Sequence, residues 1–176
     1  MNQLDCKVAT MADLPALCRF YQDICDHQKF DDYGADWHWG IYPAESDLKE
    51  AIEKEQALIG LKDGKIAAAG LLIVGNDPLY SKFDWPTKAD DDEIAVIHLY
   101  GLHPAFRRQG LSASLLLFAE DRAKSLGCKV IRLDSMAGNR PARRLYEKNG
   151  FSFVQQANVH YDDIGDTDVD LLECPL

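Results

Sequence analysis

The spacing of apolar residues along the chain predicts alternating strands and helices. Stripes at i, i+3, i+4 are typical of helices with one buried face, and continuous apolar runs are typical of buried strands. An Asp63-Gly64 pair between two such runs indicates a hairpin. The predicted strands are 5–9, 57–61, 65–74, 93–103, 129–134, 151–160 and 169–173; the predicted helices are one that follows Thr10 and fades near 27–32, and those at 44–54, 110–126 and 139–149.

This order, β-α-α-β-β-β-α-β-α-β-β, shows no repeat and no linker, so we expect residues 1–176 to form one α/β (α+β) domain. Two irregular segments interrupt it. In 33–43, Trp37, Trp39 and Tyr42 either line a pocket or pin the loop onto the core. The segment 76–92 is longer than about 12 residues, which is typical of a functional or mobile loop.

Composition narrows the classes of function. A formal net charge of −10 argues against a nucleic-acid partner, because phosphate binding needs a basic face. The same charge either attracts a cationic substrate or only keeps the protein in solution. No apolar run reaches the ~20 residues that a membrane span needs, and no secretory leader is visible. Five scattered cysteines without CxxC spacing suit packing in a reduced, cytoplasmic protein, and five histidines lack metal-ligand spacing.

The stretch 98–112, HLYGLHPAFRRQGLS, is predicted to run from a strand through a basic turn into a helix. The first N–H groups of a helix lack intrahelical partners and carry the positive end of its dipole, which favours an anion. Arg107 and Arg108 add positive charge, and Gly110 removes a Cβ where an oxygen must approach the backbone. By itself the hexamer 107–112 is more typical of a tight turn with two solvated arginines than of an anion site.

A second motif follows about 27 residues after Ser112. It reads Asn139-x-x-Ala142-x-x-Leu145-Tyr146-x-x-x-Gly150-Phe151. The two motifs together resemble those of the GNAT superfamily, the acetyl-CoA-dependent N-acyltransferases, over roughly 98–153. One departure is Ser112, where that family usually has Gly or Ala. A second is Gly101 inside the central strand, where a glycine often marks a bulge or a close approach by a ligand.

The resemblance implies a fold, a cofactor and a reaction. The fold is a mixed, mostly antiparallel sheet of about six or seven strands with a splayed central strand, flanked by about four helices. The reaction moves an acetyl group from acetyl-CoA to a primary amine of a small molecule or peptide, by direct attack in a ternary complex and without a metal. The implied cofactor-binding residues are Leu99, Tyr100, Gly101, Leu102, Arg107, Arg108, Gln109, Gly110, Leu111, Ser112, Asn139, Ala142 and Tyr146.

Catalytic roles follow from the same resemblance. Tyr146 is the implied general acid for the leaving thiolate, and His98 is the candidate general base acting through a water molecule. Histidine's ordinary pKa of about 6.5 suits a base, and His98 is predicted to lie in phase with Tyr100 and Leu102 on the strand. Val96 stands where some relatives carry a catalytic glutamate, which excludes that version. Glu93 and His160 are the reserve bases.

The acceptor amine is not fixed by the sequence. Trp37, Trp39 and Tyr42 are the weak substrate-binding candidates, and the predicted loop 161–168 adds Asp162, Asp163, Asp166 and Asp168. Two other functions stay open: a CoA-binding sensor domain without catalysis, and an unrelated α/β domain that binds a phosphorylated small molecule. We expect no nucleic-acid or membrane partner, and a homodimer is compatible with the sequence.

Overall fold

A seven-stranded sheet organises the computed structural model, which describes residues 3–176. Four helices flank the sheet. The strands are β1 (Asp5–Val8), β2 (Ala57–Lys62), β3 (Lys65–Val74), β4 (Ile94–Leu102), β5 (Val130–Met136), β6 (Ser152–Tyr161) and β7 (Gly165–Pro175), and the helices are α1 (Leu14–His27), α2 (Glu45–Glu53), α3 (Ser114–Ser125) and α4 (Arg140–Lys148).

The strands lie in the order β1-β2-β3-β4-β5-β7-β6. The β4–β5 pair is parallel and every other pair is antiparallel. The predicted element order and the mixed, mostly antiparallel sheet are therefore confirmed. None of the helices in the described part of the chain is long and apolar enough to cross a membrane.

Helices cover both faces of the sheet, which explains the unbroken apolar run of β3. Helices α1 and α2 pack on one face, where Tyr21, Leu48 and Ile59 are fully buried. Helix α3 and Tyr146 of α4 pack on the other face, against residues such as Ile131. A strand buried on both faces has no reason to alternate polar with apolar residues, so both helix layers are needed to cover β3.

The segment 76–92 is tied to the sheet by a buried ion pair, Arg132 with Glu173. Both side chains are about 95% buried or more. Glu173 accepts hydrogen bonds from the backbone N–H and hydroxyl of Thr87, at 2.9 and 2.8 Å. Arg132 donates to the Thr87 carbonyl and to Asn76, and its guanidinium stacks 4.6 Å from the Trp85 ring. These contacts tie both ends of the segment to the sheet.

Two predicted boundaries are also wrong. Helix α3 begins at Ser114 rather than 110, because Arg108 and Gly110 both adopt left-handed backbone (φ 61° and 72°) that a helix cannot include. The last two strands are longer than their apolar runs. Cross-strand polar pairs such as Asn158–Asp168 extend them, so the loop predicted over 161–168 shrinks to the three residues 162–164.

Candidate functional site

Strands β4 and β5 pair only at their first residues and then separate. Their ladder has three pairs, the last of which joins Val96 to Arg132. Beyond it, a cavity of about 520 Å³ lies between the strands. Its wall is built by the diverging ends of β4 and β5, by α4, by the loops 35–42 and 77–79, and by the β6–β7 turn. The predicted splay of the central strand is confirmed, and it opens the cavity.

A bulge in β4 accompanies the splay. Ala69 pairs with Gly101 and Leu71 with His98, so β4 contains one more residue than β3 over this stretch. Leu99 holds the left-handed conformation that this requires (φ 53°), and the Tyr21 hydroxyl donates a 2.8 Å hydrogen bond to its carbonyl. Such backbone costs on the order of 1 kcal/mol in a residue with a Cβ, so buried contacts must maintain it.

Gly70 on β3 makes room for the bulge. A Cβ at this position would lie 3.2 Å from Cδ2 of Tyr100 and 3.6 Å from the His98 carbonyl oxygen. The sequence prediction did not single out Gly70. Gly101 is not the bulge residue either: its missing Cβ leaves space for Ile24 and Trp37, whose side chains would be 3.1 and 3.4 Å away.

The bulge changes which side chains share a face. His98 was predicted in phase with Tyr100 and Leu102, and this is wrong. Leu99 packs with the α1–α2 core, whereas Tyr100 and Leu102 pack with the α3 core. Because Ile97 also belongs to the α3 core, His98 falls on the α1–α2 side with Leu99. The cavity is thus bordered by β4 side chains from both faces.

Tyr146, the implied general acid, lies on the wall of the cavity. Its side chain is only 7% exposed and packs edge-on against Tyr100 and tilted against Phe151, with ring centroids 6.2 and 5.7 Å away. Among residues 3–176 no group hydrogen-bonds its hydroxyl. Burial, and then the negative charge of Asp134, raise the pKa of Tyr146 above its usual value. The phenol therefore keeps its proton at neutral pH.

His98, the candidate base, also lines the cavity. Its Nε2 lies 3.5 Å from Oδ2 of Asp77. Asp77 is fixed in turn, because its Oδ1 accepts a 2.8 Å hydrogen bond from the Leu79 backbone. The reserve bases lie elsewhere: Glu93 pairs with Lys129 beside the first residue of β4, and His160 pairs with Asp166 on the outside of the last hairpin. Neither lines the cavity.

The loop 107–112 leads from β4 to α3. The Tyr100 hydroxyl donates to the Ser112 carbonyl, and Leu111 is 99% buried, so the loop is fixed at its α3 end. Gly110 has open space where a Cβ would be, so its left-handed backbone rather than crowding accounts for the glycine. The role of the loop as an anion cradle stays a prediction.

The two arginines of this loop differ. Arg108 is exposed, whereas Arg107 forms a bidentate ion pair with Asp31 at 2.6 and 3.1 Å. The Arg107 guanidinium holds the pKa of Asp31 below its usual value. The prediction that Arg107 pairs with phosphate did not include this role: Arg107 ties the loop to the residues that follow α1.

Asn139 caps α4 as the sequence predicts. Its side-chain oxygen accepts a 3.2 Å hydrogen bond from the Ala142 backbone N–H, and both residues line the cavity. The Asn139 amide nitrogen is left to serve as a donor. Its predicted bond to a pantetheine arm stays a prediction.

Two of the three aromatic candidates face the cavity. Trp37 and Tyr42 line it, and Gln28 fixes the Trp37 backbone from both sides with hydrogen bonds of 2.8 and 3.0 Å. Trp39 packs against the α1–α2 core, as Trp37 and Tyr42 also do, but it is not part of the cavity wall, and its assignment to the substrate stays a prediction. An aromatic loop alone cannot show which ring turns inward.

Asp134, near the end of β5, is a cavity residue that was not predicted from the sequence. Asp134 accepts one hydrogen bond from the Tyr80 hydroxyl and another from the Tyr161 hydroxyl, one on each carboxylate oxygen. Asp134, Tyr161, Asp162 and Asp163 all line the cavity, whereas Asp166 and Asp168 lie on exposed positions of β7. An aspartate directly after the buried run of β5 was the available signal. No group of three or more His, Cys, Asp or Glu side chains in the described residues is arranged to hold a metal ion.

Comparison with known proteins is consistent across sequence and structure. The model of the acetyltransferase (GNAT) family matches residues 14–151. Mycothiol acetyltransferase of Corynebacterium glutamicum is 30% identical over 132 residues, which is 72% of this chain and 40% of that protein. The uncharacterized N-acetyltransferase YhfO of Bacillus subtilis is 30% identical over 118 residues, covering 67% of this chain and 73% of that one. The chain spans only 28–40% of the length of the first three curated relatives that it matches.

Solved structures share the fold. Ribosomal-protein-alanine N-acetyltransferase from Brucella melitensis superposes with a TM-score of 0.73 at 18% identity, over 98% of this chain and 100% of that one. The acetyltransferase yncA from Salmonella typhimurium, solved with its cofactor acetyl-CoA, gives a TM-score of 0.70 at 18% identity, over 98% and 94%.

The Asp31–Arg107 pair yields a stability prediction. Asp31→Asn should lower the free energy of unfolding at pH 7 by about 1–2 kcal/mol, since a charge-assisted hydrogen bond is lost but half-exposed Arg107 can turn to water. A carboxylate with a lowered pKa stabilises the fold above its ordinary pKa of about 3.9 and loses this effect as the pH falls through the lowered value. The difference in the free energy of unfolding between variant and parent, measured by urea unfolding, should therefore become smaller below about pH 4.

Asp32→Asn is the matched control, because Asp32 is exposed and adjacent. It should change stability by less than about 0.5 kcal/mol. Equal effects of the two substitutions would show that the ion pair does not fix the loop.

Proposed function

Because the chain belongs to the GNAT acetyltransferase family, we propose that it transfers the acetyl group of acetyl-CoA to a primary amine of a small molecule or peptide. The amine attacks the thioester directly in a ternary complex. One observation carries the proposal: the Tyr146 side chain, 93% buried, lies on the wall of a cavity at the splayed edge of β4, and its hydroxyl has no hydrogen-bond partner in the described chain. A ligand in the cavity can accept a hydrogen bond from this hydroxyl.

The acceptor must first lose a proton. A free alkyl amine with a pKa of about 10.4 is neutral in only about 1 part in 2,500 at pH 7, a cost of roughly 4.6 kcal/mol. We assign the removal of this proton to His98, through a water molecule. Asp77, 3.5 Å from its Nε2, stabilises the imidazolium that forms.

The neutral nitrogen then forms a C–N bond to the acyl carbon, and the carbonyl becomes an oxyanion. Backbone N–H groups of the β4 segment Leu99–Leu102 are the proposed donors to it, since this part of the strand has no ladder partner on the β5 side. The C–S bond breaks next, and Tyr146 gives its proton to the thiolate. The nitrogen, which is positively charged after the C–N bond forms, loses its extra proton to solvent, and the Tyr146 phenolate takes a proton back from solvent. The products are an N-acetyl amide and CoA.

A raised pKa for Tyr146 suits this role. The same burial that keeps the phenol protonated also disfavours a bare thiolate in the cleft, so the proton transfer costs less than the free values suggest. Because its pKa is raised, the Tyr146 phenol is also protonated throughout the neutral pH range in which the reaction is assayed.

Cofactor binding is assigned to the loop and the β4 edge. The backbone of 107–112 and the first turn of α3 bind the pyrophosphate, with Arg108 supplying exposed positive charge. Asn139 and Ala142, on the cavity wall, contact the pantetheine arm. We further propose a cytoplasmic protein with no nucleic-acid or membrane partner, given the net charge of −10, and a homodimer stays open.

Replacing Tyr146 with Phe tests the proposed acid. Turnover should fall about 10- to 100-fold, because only the proton donor is lost. Acetyl-CoA should still raise the melting temperature of the variant nearly as much as that of the parent, by mass action. Tyr33→Phe, at an exposed tyrosine in the loop after α1, is the control.

Three results would count against the proposal. Full turnover by Tyr146→Phe excludes Tyr146 as the acid. An acetyl-CoA thermal shift without turnover on any amine favours a sensor domain. The absence of any shift at millimolar acetyl-CoA favours an unrelated binder of phosphorylated molecules.

Removing the proposed base should change the pH–rate profile. His98→Ala should lower kcat/KM about 100-fold at neutral pH and abolish the decline that the parent shows as the pH is lowered, since that decline reports protonation of the base. Asp77→Asn should also lower kcat/KM at neutral pH, but by a smaller factor than His98→Ala. His160→Ala, outside the cavity, should leave the profile intact; an unchanged profile for His98→Ala would remove His98 from the mechanism.

A further inference from the structure

The charge of the cavity wall is one-sided. The wall carries five carboxyl groups, all of them from aspartates: Asp36, Asp77, Asp134, Asp162 and Asp163. The described wall contains no Lys and no Arg, and His98 is its one basic side chain. These aspartates come from four different parts of the chain, so the fold and not a local acidic run brings them together.

The negative charges act on one shared space. Burial, and after it the charges of Asp47, Asp134, Asp163 and Asp77, raise the pKa of Tyr42. Burial and Asp134 also raise the pKa of Tyr161 and of Tyr146. Three tyrosines on different elements therefore all face the field of Asp134, and one of them is the proposed acid.

Few groups of the wall neutralise this negative charge. Asp134 is held by two neutral tyrosine hydroxyls, which stabilise the carboxylate without cancelling its charge. In the part of the chain that the structure describes, Asp162 and Asp163 have no hydrogen bond or ion pair. The Tyr146 side chain, 93% buried on this same wall with its hydroxyl unpaired in the described chain, points independently to a ligand in the cavity.

We propose that the acceptor is a small di- or polyamine: it carries a second ammonium group that Asp134 and Asp163 hold while its other nitrogen is acetylated. This rests on the proposed function. The reacting nitrogen must be neutral when it attacks, and the amide product is neutral as well. A single amine thus loses its attraction to the wall at the moment of reaction, whereas a second ammonium keeps it.

The apolar part of the wall suits the linker between two such nitrogens. Trp37 and Tyr42 present aromatic rings against which methylene groups can pack and over which an ammonium is attracted. A carboxylate or phosphate near the reacting amine would be repelled by the aspartates. Free amino acids and acidic peptide ends are therefore excluded as good acceptors.

Three four-carbon amines test the inference: 1,4-diaminobutane, butylamine and 4-aminobutanoate. Calorimetry in the presence of CoA, which cannot react, should give the diamine a Kd at least tenfold below that of butylamine and no binding of 4-aminobutanoate. With acetyl-CoA and detection of the free thiol, kcat/KM should follow the same order.

Asp163→Asn should reduce the diamine-to-butylamine ratio of kcat/KM about tenfold. Asp166→Asn, on the same hairpin but exposed and outside the cavity, should leave that ratio unchanged. If the substitutions acted only by disturbing the hairpin, they would change the diamine-to-butylamine ratio of kcat/KM by the same factor. Equal ratios in Asp163→Asn and Asp166→Asn would therefore overturn the role of Asp163.

Binding and turnover separate the two proposals. Equal binding of diamine and butylamine, preferred binding of 4-aminobutanoate, or no binding of any of the three would overturn the second-ammonium inference. Preferential diamine binding without cleavage of acetyl-CoA would support the cation site and overturn the proposed acetyl transfer.

Discussion

The left-handed backbone of Leu99 is the constraint on which the site depends. It inserts an extra residue into β4, which places His98 and Leu99 on one face and Tyr100 on the other. A leucine does not adopt this conformation without support. Tyr21 supplies a buried hydrogen bond to the Leu99 carbonyl, and Gly70 leaves the space that Tyr100 needs. Since β4 and β5 pair only up to Val96, the distorted segment borders a cavity instead of a neighbouring strand.

Around this opening, tertiary contacts place groups that are far apart in sequence. The buried Arg132–Glu173 pair anchors the segment 76–92, and that segment brings Asp77 to His98 and Tyr80 to Asp134. Arg107, through Asp31, joins the predicted cofactor loop to the residues after α1. Gln28, three residues before Asp31, fixes Trp37 of the aromatic loop 33–43. The loops 33–43 and 107–112 are therefore both held by residues 28–31, so a change in one is expected to affect the other.

Much of the fold could be predicted because local patterns agree with it. The strand and helix order followed from apolar spacing, and the cap at Asn139 and the hairpin at Asp63-Gly64 followed from short-range chemistry. Gly101 raised a bulge as one possibility, but its place at Leu99 could not be predicted, since it depends on Tyr21 and Gly70, which lie 78 and 29 residues from Leu99. The strict alternation of side chains along a strand predicted His98 on the same face as Tyr100. The extra residue in β4 breaks this alternation, so the two side chains lie on opposite faces.

The site was predictable where a motif carried it and not where packing decided. Tyr146, His98 and Asn139 do line one cavity. Trp37 and Trp39 are two residues apart and equally aromatic, yet only Trp37 faces the cavity, because Gln28 fixes its backbone and Gly101 leaves room for its ring. The sequence around Asp134 gave little indication of a site, because the two tyrosines that hydrogen-bond its carboxylate, Tyr80 and Tyr161, lie on distant segments.

A crystal structure of the protein with bound CoA tests the central claim most directly. The account predicts that the CoA sulfur lies within hydrogen-bonding reach of the Tyr146 hydroxyl, beside the unpaired edge of β4 at Leu99–Leu102, with the β4–β5 ladder still ending at Val96 and Arg132. A CoA sulfur bound away from this opening, or strands that pair along their whole length in the complex, would contradict it.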